Sequence, residues 1–343
     1  MKALFIGGTG TISLAITKRI AQNPDWELCL LNRGNRTEEV PEPVHLIEAD
    51  IQDEASVAEK LADMHFDVVA DFIAFVPEHI ERDIRLFAGK VKQYFFISSA
   101  SAYQKPLSDF RITESTPLCN PYWQYSRDKI ACEERLIREY RDHGFPVTIV
   151  RPSHTYGDTS VPVALHGAEG SWQVIRRMMD GKPVIVPGDG SSLWTLTHNS
   201  DFAKGFVGLM GNPHAIGEAV QITSEESLTW NQIYQIIGEA LGVTPKLIHI
   251  ATDFLTACDP QMKGGLLGDK SNTVYFDNQK LKRLVPGFQA TVRFDQGVHR
   301  TLRYIQGRPE YQTEDPVFDH WCDDVIKAYH SGLQRFFEIH PQS

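Results

Sequence analysis

Nowhere in the 343 residues does an apolar run approach the ~20 uninterrupted residues of a membrane span, so no spanning helix is expected. Lys2 is followed by only four apolar residues before Gly7, too few for a secretory leader. Cysteine is scarce: Cys29, Cys119, Cys132, Cys258 and Cys322 are odd in number and far apart. That pattern excludes a disulfide framework and a zinc-type Cys/His site. It implies reduced thiols and a cytoplasmic protein, with Cys29 in a core strand. Positive charge is also in deficit, since 34 Lys and Arg stand against 44 Asp and Glu, a net charge of −10. Nucleic acid and anionic membranes are therefore unlike main partners, and a small-molecule substrate is expected instead. Internal repeats and low-complexity tracts are missing. What remains, 42% apolar and 23% charged residues, is enough to build an ordinary globular core. The length suits two domains, or one large α/β domain with an appended lobe.

What is present begins at the N-terminus. Residues 3–6 form a short apolar run that reads as a buried strand. It breaks into Gly7-Gly8-Thr9-Gly10-Thr11-Ile12-Ser13, and residues 15–21 then carry apolar side chains at helical spacing. A strand, a glycine-rich turn and a helix in this order make a phosphate cradle. Glycine allows the turn and the close approach of a pyrophosphate, and the helix start offers N–H groups and a positive dipole end.

Further strands are expected at 27–31, 44–47, 68–73, 94–98, 147–150 and 219–223. Helical patterns occupy 56–63, 78–88, 128–143 and 201–210. Such alternation implies right-handed crossovers and a doubly wound parallel sheet. Pro152, Pro162 and the stretch 166–170 mark where the regularity ends. Beyond it the chain is mixed, with helices expected at 230–241 and near 320–329. The domain expectation is 1–155 with 196–224 for the dinucleotide-binding part, and 156–195 with 225–343 for a smaller substrate-binding lobe.

In dinucleotide folds an acid ending the second strand binds the ribose 2′-hydroxyl. Here that strand ends Leu31-Asn32-Arg33-Gly34-Asn35-Arg36. Asn32 removes the carboxylate that would repel a 2′-phosphate, and Arg33 or Arg36 supplies a countercharge, so NADP is expected over NAD. Asp50 and Ile51, after the third strand, stand where the adenine edge would lie.

Tyr125-Ser126-Arg127-Asp128-Lys129 places a phenol and an ammonium one helical turn apart on one face. A neighbouring cation favours the phenolate and suits the tyrosine to acid/base work. Upstream, Ser98-Ser99-Ala100-Ser101 ends the fourth long strand with hydroxyls able to bond a substrate oxygen.

With these three elements the chain resembles the extended short-chain dehydrogenase/reductase family, the NAD(P)-dependent epimerase/dehydratase group. The resemblance runs from Met1 to about Thr223 and more loosely beyond. Gly7, Gly10 and Ser13 fall on its three-glycine loop, and Ser99, Tyr125 and Lys129 on its catalytic set. Residues 150–157 resemble its Arg-Pro-x-Asn-x-Tyr-Gly segment, and 187–190 and 197–201 its later Gly-Asp-Gly and His-x-x-Asp elements. The resemblance implies a Rossmann sheet and a Tyr125 that moves a proton at a secondary alcohol or ketone of a sugar-like substrate. It implies that Lys129 holds the ribose and Ser99 the substrate oxygen. Cofactor contacts are implied for Gly7, Thr9, Gly10, Thr11, Ile12, Phe72, Ile73, Ala74, Ser98, Tyr125, Lys129, Pro152 and His154, beside Asn32, Arg33, Asp50 and Ile51. Substrate contacts are implied for Ser101, Trp123, His154 and Trp194, and a homodimer through the Tyr125 helix.

The departures narrow the substrate. Ser13 replaces the loop's last glycine and crowds helix against strand. Ala100-Ser101 replaces the Asp-Glu pair of sugar 4,6-dehydratases, which argues against dehydration. His154 replaces an asparagine, and Trp194-Thr195 an Arg-Asp whose arginine clamps a diphosphate. A smaller uncharged sugar or polyol is therefore favoured over a nucleotide sugar, unless Arg176, Arg177, Lys182 or Lys263 rebuilds the clamp. The Leu31–Gly34 segment also resembles the atypical branch that includes chloroplast stem-loop RNA-binding proteins. The alternative is thus a catalytically silent nucleotide- or RNA-binding member, against which Tyr125, Lys129 and the acidic balance speak.

Overall fold

Side chains along a strand point alternately to opposite faces, and the first strand shows at once that both faces are covered. In the computed structural model, which describes residues 1–35 and 40–340, Leu4 and Ile6 of β1 (Lys2–Ile6) pack into one core cluster. Ala3 and Phe5 pack into another. The elements that follow are α1 (Ser13–Ala21), β2 (Glu27–Asn32), β3 (His45–Glu48), α2 (Glu54–Lys60), β4 (Phe66–Asp71), α3 (Pro77–Phe87) and β5 (Val91–Ile97). Then come α4 (Gln124–His143), β6 (Val147–Pro152), α5 (Asn199–Leu209) and β7 (Ala219–Ile222). The seven strands form one parallel sheet in the order β7-β6-β5-β4-β1-β2-β3. Parallel strands buried on both faces must be apolar throughout, which is why the runs read so clearly in the sequence. Residues of α2, α3 and α4 (Val57, Ile80, Phe87, Leu136) cover one face, and residues of α1 and α5 (Ile16, Ile20, Phe202, Phe206) the other.

The chain divides into two compact units. The first holds Met1–Tyr156, Thr195–Glu225 and Phe276–Val292; the second holds Gly157–Trp194, Glu226–Tyr275 and the chain from Arg293 onward. Residues 276–292 thus leave the lobe to which the sequence reading gave them. Leu281 and Phe288 join the sheet's own core, and Asn278 exchanges hydrogen bonds with Thr223, contacts that no local pattern announces. Within the second unit Pro183–Pro187 pairs in parallel with Lys246–Ile250. The helix Trp230–Leu241 starts on a Thr229/Gln232 capping box and stops at Gly242, whose φ is +72°. Arg177, buried, is tied to Asp319 at 2.6 Å and to Asp323 at 2.7 Å on the long helix Pro316–Ile339.

Three boundaries differ from expectation for local reasons. Strand β4 stops at Asp71, not at 73, because the Asp71 carboxylate accepts the Ile73 N–H at 2.6 Å and turns the chain. Helix α4 starts at Gln124 rather than at 128, so Tyr125 and Lys129 lie in one helix. The last helix, expected near 320–329, starts earlier, at Pro316, because Asp315 caps it by accepting the Phe318 N–H, and it runs on to Ile339. No helix among the described residues is long and apolar enough to cross a membrane.

Candidate active site

The turn after β1 is built from two kinds of glycine. Gly7 has φ +83°, and a Cβ there would come within 2.7 Å of Ile73. At Gly8 a Cβ would come within 2.5 Å of Leu30. Both are glycine because the protein leaves no room. Gly10 is different: a Cβ there would meet only the Ser13 hydroxyl, at 3.5 Å. Among the described residues nothing forbids a side chain at Gly10, so the open space fits a group that approaches from outside. A dinucleotide pyrophosphate is such a group, and the loop suits it. Ser13 tightens the loop: its Oγ donates to the Gly7 carbonyl at 3.0 Å and accepts the Gly10 N–H at 2.9 Å. It is buried, and the Thr17 hydroxyl below it donates to the Gly8 carbonyl at 2.8 Å. We therefore expect Gly10→Ala, where the added methyl has room, to melt within about 1–2 °C of the parent, yet to lose roughly tenfold or more in cofactor affinity. Calorimetric titration beside a melting curve checks it, and a lowered Tm with unchanged affinity would refute the assignment.

At the end of β2, Asn32 Oδ1 accepts the Gly34 N–H at 2.9 Å, while its Nδ2 is buried and meets no acceptor among the described residues. Arg33 is exposed, and Arg36 lies outside the described residues. Glu48, paired in register with Asn32, brings its carboxylate close to Gly34, a neighbour that sequence reasoning missed. Asp50 is exposed and accepts the Gln52 N–H. Ile51, in contrast, is 3% exposed and its side chain belongs to the core, so an apolar residue there has a packing duty.

The ends of β4 and β5 meet the Tyr125 helix at Lys129. Its ammonium is buried and donates to the carbonyls of Ala74 and Ile97, each at 2.7 Å. It lies 4.6 Å from the Phe75 ring centroid, 4.8 Å from Phe96 and 5.7 Å from Tyr125. Burial pushes Lys129 down to about 8, against the opposing pull of Cys132, Asp71 and Glu133. Two of its three N–H donors are taken by main chain, and one remains for a further oxygen. Phe72 is half-buried and edge-on to Phe5, whereas Ile73 is exposed beside Gly7.

Hydroxyls after β5 form a chain. Ser126 of α4 donates to Ser101, and Ser101 shares a proton with Ser99 at 2.8 Å. Ser99 is half-buried and Ser101 buried, so Ser101 sits behind Ser99 and orients it. Ser98 turns the other way, its hydroxyl donating to buried Glu133. Glu133 is two turns after Tyr125 on the same stripe of α4. It holds Arg151 by a 3.0 Å and a 2.5 Å bond, and the guanidinium lies 4.9 Å from the Tyr103 ring. Burial pulls the Arg151 guanidinium down, but its bonds to Glu133 more than offset this. Sequence reasoning passed over this pair. Its only trace was the spacing Tyr125, Lys129, Glu133, a charged stripe on the face that a helix normally buries.

Other expected contacts fall as follows. Trp123 is half-buried before the first turn of α4, 4.9 Å ring to ring from Tyr125. Pro152 ends β6, and His154 lies in a short strand paired with Leu196. Trp194 is 3% exposed and stacks on Trp230 at 5.4 Å, both inside the second unit. Its ring serves the core there. Thr9, Thr11 and Ile12 line the glycine turn, with the Thr11 carbonyl accepting from Asn199 at 2.9 Å. Among the described residues no group of His, Cys, Asp and Glu could hold a metal.

The model of the NAD dependent epimerase/dehydratase family matches residues 3–223. The chain belongs to this family. It is an enzyme of the extended short-chain dehydrogenase/reductase type. The chain is 23% identical over 290 residues to 2'-dehydrokanamycin reductase of Streptomyces kanamyceticus, covering 84% of this chain and 80% of that protein. It is 27% identical over 263 residues to the chloroplast stem-loop binding protein of 41 kDa b of Arabidopsis thaliana, covering 72% of this chain but only 65% of that protein. Among solved structures, UDP-glucuronic acid 4-epimerase of Bacillus cereus, in complex with UDP-glucuronic acid and NAD, shares the fold. The TM-score is 0.72 at 18% identity, over 90% of this chain and 99% of that one.

Proposed function

We propose that this family member works with a nicotinamide dinucleotide at a secondary alcohol or ketone of a sugar-like ring, with Tyr125 moving the proton. The observation that carries this reading is Lys129, a buried ammonium fixed beside the Tyr125 ring by the Ile97 carbonyl at the end of β5 and the Ala74 carbonyl in the turn after β4. Bound at the glycine turn, the dinucleotide supplies the acceptor or donor of hydride. Lys129 stabilises the phenolate form of Tyr125, so the phenol takes a proton from the substrate oxygen or returns one to it. Ser99, oriented by Ser101, donates to the same oxygen and holds it at the phenol. Epimerisation and simple reduction make the same demands on these three residues.

For the cofactor we propose NADP. The support is Asn32 in place of an acid, with exposed Arg33 beside it. One observation favours NAD instead: the Glu48 carboxylate near Gly34, an acid moved from β2 to β3. Titration of both cofactors into the parent, Arg33→Ala and Glu48→Gln separates them. We expect NADP to bind more tightly and Arg33→Ala to erase a preference of about tenfold. Tighter NAD binding that Glu48→Gln abolishes would reverse the assignment.

For the substrate we propose a sugar-like molecule without a diphosphate. A dehydrated pyrophosphate is costly unless cations meet it, and Trp194 supplies none. Arg176 pairs with Asp180 and Glu314, while Arg177 and Lys182 pair with Asp319 and Asp323, so three of the four candidate cations are engaged. The relative named for a kanamycin ketone agrees with this reading. The structural neighbour solved with UDP-glucuronic acid favours a nucleotide sugar. Thermal-shift screening with cofactor present, using nucleotide sugars against free ketoses and aminoglycoside ketones, tests it. Stabilisation by a nucleotide sugar, absent for its free sugar, would overturn it.

A further inference from the structure

Behind the turn that carries Ala74 lies a buried charge cluster that the proposed chemistry does not use. Asp71, at the end of β4, has no exposed surface; its Oδ1 accepts the Ile73 N–H at 2.6 Å and its Oδ2 accepts from Arg82 at 2.8 Å. Arg82 also donates to Asp83 at 2.8 Å, and the Tyr94 hydroxyl donates to the other Asp83 oxygen at 2.5 Å. Arg82, Asp83 and Tyr94 are all buried. Two carboxylates thus share one guanidinium, an arrangement short of one positive charge. Three residues past Asp71, the Ala74 carbonyl receives the Lys129 ammonium.

We propose that Asp71 is a positioning residue for Lys129: it closes the 71–74 turn that presents the Ala74 carbonyl, and it supplies the negative charge that keeps the ammonium protonated in a buried site. This rests on the reading of Tyr125 and Lys129 as the acid/base pair. Asp71, rather than Asp83, acts because its carboxylate bonds the turn that leads to the Ala74 carbonyl, whereas Asp83 bonds Arg82 and Tyr94. Burial and the nearby Asp71 push the Asp83 carboxyl well above the usual carboxylate range. Lys129 faces few other charges. Cys132 and Glu133 lie on its own helix, and Glu133 is occupied by Arg151; Asp71 comes from the strand side, and the Tyr125 ring and the Phe75 and Phe96 rings complete the surroundings. Removing the Asp71 charge leaves desolvation less opposed, so Lys129 gives up its proton at lower pH.

The test needs neither substrate nor turnover. Lysines are labelled with ¹³C at Cε in the full chain without cofactor, and Lys129→Met identifies the Lys129 resonance for a pH titration. Asp71→Asn and Asp71→Ser both remove the charge and keep an oxygen for the Ile73 N–H. Asp83→Asn changes the other acid on Arg82, one that bonds Tyr94 rather than the Ile73 N–H of the 71–74 turn. We expect the Lys129 midpoint, near 8 in the parent, to fall by about one unit or more in either Asp71 variant and to hold within about 0.3 in Asp83→Asn. Slowed exchange of the Ile73 amide, kept in both Asp71 variants, separates the charge from the turn. An unmoved midpoint in a folded Asp71 variant overturns the proposal, as does an equal fall in Asp83→Asn. Should both Asp71 variants fail to fold, the parent decides: a Lys129 midpoint at about 5–6, the range of buried lysines without a supporting charge, would show that no nearby acid holds the proton on and overturn it. Should Tyr125→Phe prove active, the acid/base reading falls while these midpoints stand.

Discussion

Tyr125→Phe lowers turnover by about 10²–10⁴-fold and leaves cofactor affinity within a factor of about two. The change removes one oxygen and no ring, so stacking against Trp123 and the face toward Lys129 persist. Only the group that exchanges a proton with the substrate is lost. Lys129→Met behaves differently and weakens cofactor binding as well, because its ammonium holds the Ala74 turn and keeps one donor for a ribose oxygen. Steady-state rates on a substrate found by the thermal-shift screen, with cofactor titrated separately, read both effects. A Tyr125→Phe enzyme that keeps most of its kcat would remove Tyr125 from the chemistry.

The largest effect on stability is expected at Glu133 and Arg151. Their side chains are 4% and 6% exposed, and Ser98 donates to the same carboxylate. Removing one partner leaves the other charge buried and unpaired, which costs about 3–5 kcal/mol. A unit of this size melts roughly 2–4 °C lower per kcal/mol, so Glu133→Ala and Arg151→Ala should each fall by about 10 °C. Exposed Arg85 and Glu54 are the control. They bond at 2.7 Å, yet water solvates both groups, so breaking this pair should leave the melting temperature nearly unchanged. The double variant Glu133→Leu with Arg151→Met should recover much of the loss, since neither charge then remains to be desolvated. Equal losses in single and double variants would mean that packing, not charge, holds this corner.

The sequence by itself determined the sheet. Buried parallel strands must be apolar on both faces, so residues such as 3–6, 68–70 and 94–97 announce themselves, and the glycine turn announces what the first helix faces. It also determined the Tyr125 and Lys129 pair, because one helical turn is a local distance. Its errors fall where distance along the chain and distance in space part. Residues 276–292 join the first unit through Leu281, Phe288 and Asn278, contacts made across more than fifty residues. Ile51 and Trp194 looked like ligand contacts and serve cores, because burial is a property of the packed unit. Glu133 with Arg151, and Asp71 with Arg82 and Asp83, were invisible for the same reason. A charged side chain in a sequence carries no mark of whether it meets water or a partner, and only the folded chain strips the water away and supplies the partner.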